Sequence, residues 1–271
     1  MSSDLALRLV PDELWELVEP LIPGFAPRRQ GGGTAAVDDR AVFTAIVYVL
    51  TSGCAWRHLP GEFGVSVPTA HRRFTAWTAA GLWPRLDHAV LDELGARGQI
   101  DWKSVIVDAA AVRAKRGSLT GPNPVDRGKK GSKLHALSDA AGLPLVVDAS
   151  AANVHDSQTL KPLLMALPAI RSRRGPRRRR PVKMRGDKAY HSAEHRTWLR
   201  RRGIVPRIAR PGIESGERLG RHRWVIERTL AWLFGYRRLT VRYERHGHLF
   251  NAFLILAAAI TCYKKLAKQS T

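Results

Sequence analysis

The sequence predicts an α/β domain with a mixed sheet and flanking helices, preceded by a small all-helical domain. Over the first hundred residues, apolar side chains recur at helical spacing, whereas short apolar runs separated by turn residues follow residue 100. Three of these runs in hairpin order, then helix, strand, helix, strand and helix, are typical of a mixed sheet. We place the domains at residues 1–98 and 99–271.

The helical domain begins with a predicted helix over residues 4–22, which contains Pro11 and several acidic residues. A glycine-containing loop follows over residues 24–37. Asp38 and Asp39 are typical caps for a second helix over residues 40–52, which is apolar almost all round.

A third predicted helix begins at Pro68 and ends near Gly81, exposing His71, Arg72 and Arg73. With the preceding helix it fits two interpretations, a helix-turn-helix DNA reader or an ordinary helical packing domain. The net charge of residues 1–100, −2, weakens the first interpretation.

The second domain has predicted strands over residues 104–108, 131–138, 143–148, 180–186 and 204–209. Helices are predicted over residues 159–167, 192–202, 220–236 and 249–265, with Ser192 as a cap and Gly203 as a stop. The apolar run from Leu249 to Cys262 is too short for a membrane span and predicts a buried core helix.

The charge distribution points to a polyanionic partner. The formal net charge is +22, and residues 171–245 alone carry +18. Arginines are densest between Arg171 and Arg180, where Arg177, Arg178, Arg179 and Arg180 are consecutive. The arginine fork suits phosphate, so DNA or RNA is favoured over a solvated surface loop or a membrane surface.

Three acidic residues indicate chemistry. Asp108 and Asp187 each follow a predicted strand, where ligand sites collect in α/β sheets, and Glu227 lies in an otherwise apolar helix. Together they could bind Mg²⁺, which prefers oxygen ligands and is shared with substrate phosphates. For Glu227 an ion pair with Arg223, one turn earlier, is the simpler alternative. Asp156 is a fourth candidate, but we favour it as a helix N-cap.

Four segments resemble the IS5 family of bacterial insertion-sequence transposases: VDAAAVRAKRG, GSKLHALSDAAGLPLVVDASAANVHDSQ, RGDKAYHS and RHRWVIERTLAWLFGYRRLTVRYER. The similarity covers roughly residues 5–265, and SGCAWRHLPGEFG and TAHRRFTAW resemble the DNA-binding region of that family.

The resemblance implies a ribonuclease-H-like catalytic domain whose Asp-Asp-Glu triad is Asp108, Asp187 and Glu227, with two Mg²⁺ ions for which Mn²⁺ substitutes. Related enzymes carry a tyrosine, arginine, glutamate and lysine signature. This sequence keeps Arg223 and Glu227, but Gly220 stands for the tyrosine and Phe234 for the lysine. Arg237 or Arg238 are candidates for the missing positive charge.

The expected function is that of a DNA transposase acting on the inverted repeats of its own element in the bacterial cytoplasm. It would bind double-stranded DNA, at the element ends and at the target, and work as a homo-oligomer. The predicted DNA contacts are His71, Arg72, Arg73, Arg177, Arg178, Arg179, Arg180 and Arg223. Alternatives are a nuclease of the same fold, a catalytically dead DNA-binding protein and a basic nucleoid protein.

Overall fold

The computed structural model describes residues 2–24, 37–210 and 216–268. Most of the glycine-containing loop predicted over residues 24–37 lies outside the described residues. The N-terminal helix is divided in two, α1 (Ser2–Leu9) and α2 (Asp12–Val18). A single helix over residues 4–22 is therefore wrong, because Pro11 lacks a donor and disfavours a helical conformation before it.

Helix α3 (Asp39–Ser52) forms as the sequence predicts. The Asp38 side chain accepts hydrogen bonds from the backbone N–H groups of Arg40 and Ala41, and Gly53 ends the helix at φ +70°. A side chain at Gly53 would be strained, since few residues other than glycine adopt this conformation.

Helices α4 (Val67–Ala79) and α5 (Leu82–Ala96) complete the N-terminal region. Two short 3₁₀ helices lie between α3 and α4, so the two helices of the predicted helix-turn-helix are joined by a longer segment than a tight turn. The tight turn instead joins α4 to α5 at Gly81. Helix α5 itself was not predicted.

Among the residues described, seven strands form one sheet. They are β1 (Val105–Ala114), β2 (Gly121–Pro122), β3 (Lys130–Asp139), β4 (Pro144–Ala151), β5 (Lys183–Gly186), β6 (Val205–Ile208) and β7 (Val241–Arg242). The main path runs β4–β3–β1–β5–β6, with β2 beside β3 and β7 beside β1. Strands β1, β3 and β4 are antiparallel, whereas β5 and β6 are parallel to β1 and to each other. This is the expected mixed sheet with a ribonuclease-H-like order.

Four helices flank the sheet: α6 (Ser157–Ala166), α7 (Ala193–Arg201), α8 (Gly216–Phe234) and α9 (Gly247–Ala267). Ser192 caps α7 as predicted, accepting a hydrogen bond from the backbone N–H of His195. Burial of apolar side chains drives this packing, at about 25 cal/mol per Å².

Helix α9 is the central core helix. It packs against α5 and β4, and a single cluster of buried apolar side chains runs from Val10 to Leu266. By length and composition α9 could cross a membrane, but 72% of its most apolar window is buried inside the protein. This confirms the predicted core helix.

Candidate active site

Asp108 and Asp187 lie on neighbouring parallel strands. Asp187 follows the end of β5 as predicted. The prediction that a strand ends at Asp108 is wrong, because β1 continues through this residue in antiparallel pairing with β3. Ile106 of β1 is paired with Arg185 of β5. Asp108 and Asp187 each follow two residues later, so the same register sets them side by side. The proximity is also electrostatic, because the charge of Asp187 acts on Asp108. The structure thus brings together two of the three predicted acids.

Asp108 is a largely buried carboxyl with an altered acidity. Burial is the main cause that raises the pKa of Asp108 to about 6, and the charges of Asp187 and Asp156 raise it further. A hydrogen bond from the backbone N–H of Ala109 (2.8 Å) and the charge of Arg223 oppose the rise. An ionised Asp108 therefore lies among negative charges that are only partly compensated.

The backbone around Asp187 fixes its carboxylate at the strand end. Asp187 caps a short 3₁₀ helix and accepts a hydrogen bond from the backbone N–H of Ala189 at 2.9 Å. A Cβ at Gly186 would lie 3.1 Å from Val107, so only a small residue lets β5 approach β1 this closely.

Tyr190 is a buried side chain on which these carboxylates act electrostatically. It is fully buried, and burial together with the charges of Asp156, Asp108 and Asp187 raises the pKa of its phenol. The phenol is therefore neutral, and the three carboxylates are grouped around it.

Glu227 occupies the exposed side of α8. Its carboxylate is paired with Arg223 at 2.9 Å, and the side chains are 54% and 61% exposed, respectively. The alternative of an i,i+4 ion pair is therefore what the structure contains. Because Arg223 also acts electrostatically on Asp108, this pair lies close to the aspartate site.

The residues present fit a divalent cation with few protein ligands. Among the residues described, no group of three or more His, Cys, Asp or Glu side chains could hold a metal ion. Mg²⁺ does not need such a group, since it is commonly bound by one or two carboxylates with waters and substrate phosphates. Asp108 and Asp187 supply such a pair, and their mutual repulsion is what a cation would relieve.

Asp156 has a different role from the one favoured in the sequence. It occupies the N-cap position of α6, but its side chain makes no capping hydrogen bond. Its carboxylate instead binds the ammonium of Lys133 at 2.8 Å, and its charge reaches Asp108. The prediction of a side-chain cap is wrong, because the partly buried Lys133 competes for the carboxylate.

A polar group that the sequence interpretation missed lies beside Asp156. His135 is fully buried, binds the Ser150 hydroxyl at 2.7 Å, and has Thr159 at 3.4 Å. Burial lowers the pKa of His135 to about 4, so its imidazole is neutral near pH 7. The available signal was the alternation of Lys133 and His135 with apolar residues in a predicted strand.

The predicted DNA contacts on α4 are only partly available. His71 and Arg72 are exposed, and the His71 ring packs edge-on against Trp56 with ring centroids 5.3 Å apart. Arg73 is partly buried and pairs with Asp39 of α3 at 3.3 Å. Arg73 therefore stabilises the helix pair in this structure.

The arginine run lies at the surface, but several of its members have partners. Arg177 forms a bidentate pair with Asp92 of α5, each contact 2.8 Å long. Arg178 lies 5.4 Å above the Trp102 ring, and Arg179 donates to the carbonyl of Met165. The segment is thus held to α5 by the Arg177 side chain and by the backbone N–H of Arg171, which donates to Asp92 at 2.8 Å, whereas the Arg180 side chain is exposed.

Of the two candidates for the missing lysine charge, Arg238 is buried. It binds Glu244 at 2.6 Å and the carbonyl of Cys54 at 2.7 Å. Arg237 is exposed. A buried and neutralised Arg238 is not available to a substrate, so Arg237 remains the candidate.

Fold and site together define a ribonuclease-H-like enzyme with paired acidic residues on adjacent strands. The family model described as "Transposase DDE domain" matches residues 103–262. The chain belongs to this family of DDE transposases, whose catalytic domains depend on divalent metal ions. A second model, described as "Putative transposase of IS4/5 family", matches residues 10–86.

Two curated relatives come from an insertion element of Burkholderia cepacia. The "Putative transposase for insertion sequence element IS402" is 46% identical over 149 residues, covering 55% of this chain and 71% of the relative. The "Insertion element IS402 uncharacterized 16.2 kDa protein" is 44% identical over 112 residues, covering 41% of this chain and 76% of the relative. They agree with an insertion-sequence transposase.

Solved structures show only a distant likeness. A piggyBac transposase synaptic complex with hairpin DNA is 10% identical with a TM-score of 0.44, over 99% of this chain and 76% of that chain. A Mos1 transposase paired-end complex is 13% identical with a TM-score of 0.27, over 89% and 82%. At these scores the likenesses add nothing to the assignment.

Proposed function

We propose that this transposase binds the terminal inverted repeats of its own insertion sequence, cuts the DNA there and joins the freed end to target DNA. The observation that carries the proposal is the register of β1 and β5, which sets Asp108 beside Asp187. Two acids side by side on adjacent strands form a site for in-line phosphoryl transfer.

In this proposal Asp108, Asp187 and Glu227 are the catalytic residues. The two aspartates orient the attacking and leaving oxygens, and Glu227 moves from its pair with Arg223 toward the site when DNA is bound. Arg223 is then free to contact a phosphate. Bound Mg²⁺ ions, two per site and replaceable by Mn²⁺, would activate the attacking oxygen and stabilise the leaving oxygen.

Double-stranded DNA is the proposed partner, at element ends and at the target. The net charge of +18 over residues 171–245 supports it, because a polyanion relieves the self-repulsion of so basic a segment. His71, Arg72 and Arg73 on α4 and residues 177–180 are the proposed contacts. We further propose a homo-oligomer that joins two ends, acting in the bacterial cytoplasm on nucleoid DNA.

The test is a cleavage and joining assay. The protein is incubated with Mg²⁺, a labelled duplex carrying the sequence that flanks its gene, and a target plasmid. Cut and joined products are expected, and Asp108→Asn should abolish both while DNA binding remains. Cutting without joining would identify a nuclease of the same fold. Binding without cutting would identify a DNA-binding protein with a dead catalytic site.

A further inference from the structure

Two arginines face each other across β5 and β6. Arg185 and Arg207 are register partners in these parallel strands. Directly opposed residues project from the same sheet face about 5 Å apart, so the two guanidinium groups are neighbours. Like charges in this position destabilise a strand pair unless an anion separates them.

The arginine pair and the buried side chains of these strands lie on opposite faces of the sheet. Helix α7 packs on β6, and the buried side chains of the strand pair, Met184 and Ile208, alternate with the arginines. Successive side chains of a strand point to opposite faces. Arg185 and Arg207 therefore lie on the face opposite Met184 and Ile208.

The structure offers this pair no anionic partner in the part of the chain that it describes. The Nε atom of Arg185 is buried and makes no hydrogen bond there. Burial, followed by the charge of Arg207, lowers the pKa of Arg185. A desolvated guanidinium donor beside a second guanidinium is an energetic cost that a bound anion would remove.

The position of the pair relates it to the catalytic acids. Arg185 precedes Asp187 by two residues, and the backbone of Asp187 is extended (φ −76°, ψ −174°), so both side chains lie on one face. Two residues along a strand span roughly 7 Å, so a DNA strand bound at Asp187 passes close to the arginine pair.

We propose that Arg185 and Arg207 form a phosphate-binding subsite that holds a backbone phosphodiester of DNA, about one nucleotide from the bond cut beside Asp187. The inference rests on the proposed function and makes it more specific, because it assigns the DNA contact nearest the acids to β5 and β6. The subsite reads the backbone and not the base sequence.

The test measures DNA affinity against salt concentration, with Ca²⁺ replacing Mg²⁺ to prevent cutting. The probe is a labelled duplex of the gene-flanking sequence. The variant is Arg185→Gln/Arg207→Gln. Arg185→Lys/Arg207→Lys keeps the charge. The matched control is Arg201→Gln, which replaces an exposed arginine on α7 outside the strand pair. Thermal melting verifies that all variants are folded.

The glutamine pair should flatten the slope of log K against log salt by about 0.9 for each phosphate that it no longer neutralises. The lysine pair should retain most of the slope, and the control should keep its own. In a second experiment, single phosphates of the duplex are replaced in turn by neutral methylphosphonates. At one position near the cut, the replacement should weaken DNA binding by wild type and by the control, but not by the glutamine pair. An unchanged slope and methylphosphonate profile in the glutamine pair would overturn the subsite.

The two proposals fail separately. If wild type cuts the duplex in Mg²⁺ and the glutamine pair binds as wild type does, only the subsite is wrong. If wild type shows neither cutting nor preference for the flanking sequence, the proposed function is wrong, and the salt slope on any duplex still decides whether the arginine pair binds phosphate.

Discussion

Replacing Glu244 by glutamine removes one charge from a buried ion pair and changes little else. The Arg238 and Glu244 side chains are only 5% and 4% exposed. Both contacts from Arg238 reach the same oxygen, Oε1 of Glu244, at 2.6 and 2.7 Å. The other oxygen, Oε2, has no hydrogen-bond partner among the described residues, so an amide nitrogen in its place breaks no existing contact.

The expected cost follows from what remains after the change. Removing one partner of a buried pair leaves an uncompensated charge and costs about 3–5 kcal/mol. Glutamine keeps the oxygen that accepts from Arg238, so we expect the lower end, about 3 kcal/mol. For a chain of this size, that lowers the melting temperature by roughly 6–12 °C.

Thermal and urea unfolding followed by circular dichroism measure this effect. Glu194→Gln is the matched control, because Glu194 pairs with Lys161 but is 76% exposed, and water screens such pairs. Replacing both partners with apolar residues, Arg238→Met with Glu244→Leu, should recover most of the loss. A Glu244→Gln protein that melts with wild type would refute the account of this pair.

Three further predictions concern the site and its packing. Asp108→Asn should stabilise the protein by roughly 3 kcal/mol above about pH 6, because burial raises the pKa of Asp108 from 3.8 to about 6. This gain in stability should vanish below about pH 4. Urea unfolding that shows no such pH dependence would contradict the prediction. Gly95→Ala should lower stability by about 1–3 kcal/mol in thermal melts, because the added Cβ would overlap the carbonyl oxygen of Arg171. Gly61→Ala is the control, since a Cβ there meets nothing within 4 Å. Equal losses of stability in the two variants would argue against this packing. Mn²⁺ should raise the melting temperature of wild type but not of Asp187→Asn, and an equal rise in both would remove Asp187 from the ligands.

The sequence predicted most elements of the fold because their signals are local. Asp38, Ser192 and Gly53 mark helix ends through their own side chain or backbone, and the structure confirms all three. Helix α5 was missed because Pro84 and Gly95 lie within it and interrupt a helical pattern. Its stability comes from packing against α9, which is distant in the chain.

Only part of the site could be predicted from the sequence. Asp108 and Asp187 follow apolar runs, so both were identified, although their catalytic role stays a prediction. The contact of Asp156 with Lys133 and the facing of Arg185 and Arg207 depend on tertiary pairing. Such pairing is set by the register of strands that are far apart in sequence, which composition and spacing do not report.

Metal rescue at Asp187 tests directly whether this residue binds the catalytic ion. An Asp187→Cys variant presents a thiolate, which binds Mn²⁺ better than Mg²⁺ because Mn²⁺ is the softer ion. The labelled gene-flanking duplex reports cutting in each metal. If Asp187 binds the catalytic ion, the variant should be inactive in Mg²⁺ and regain cutting in Mn²⁺. Cutting in Mg²⁺ at the wild-type rate would contradict the role assigned to Asp187.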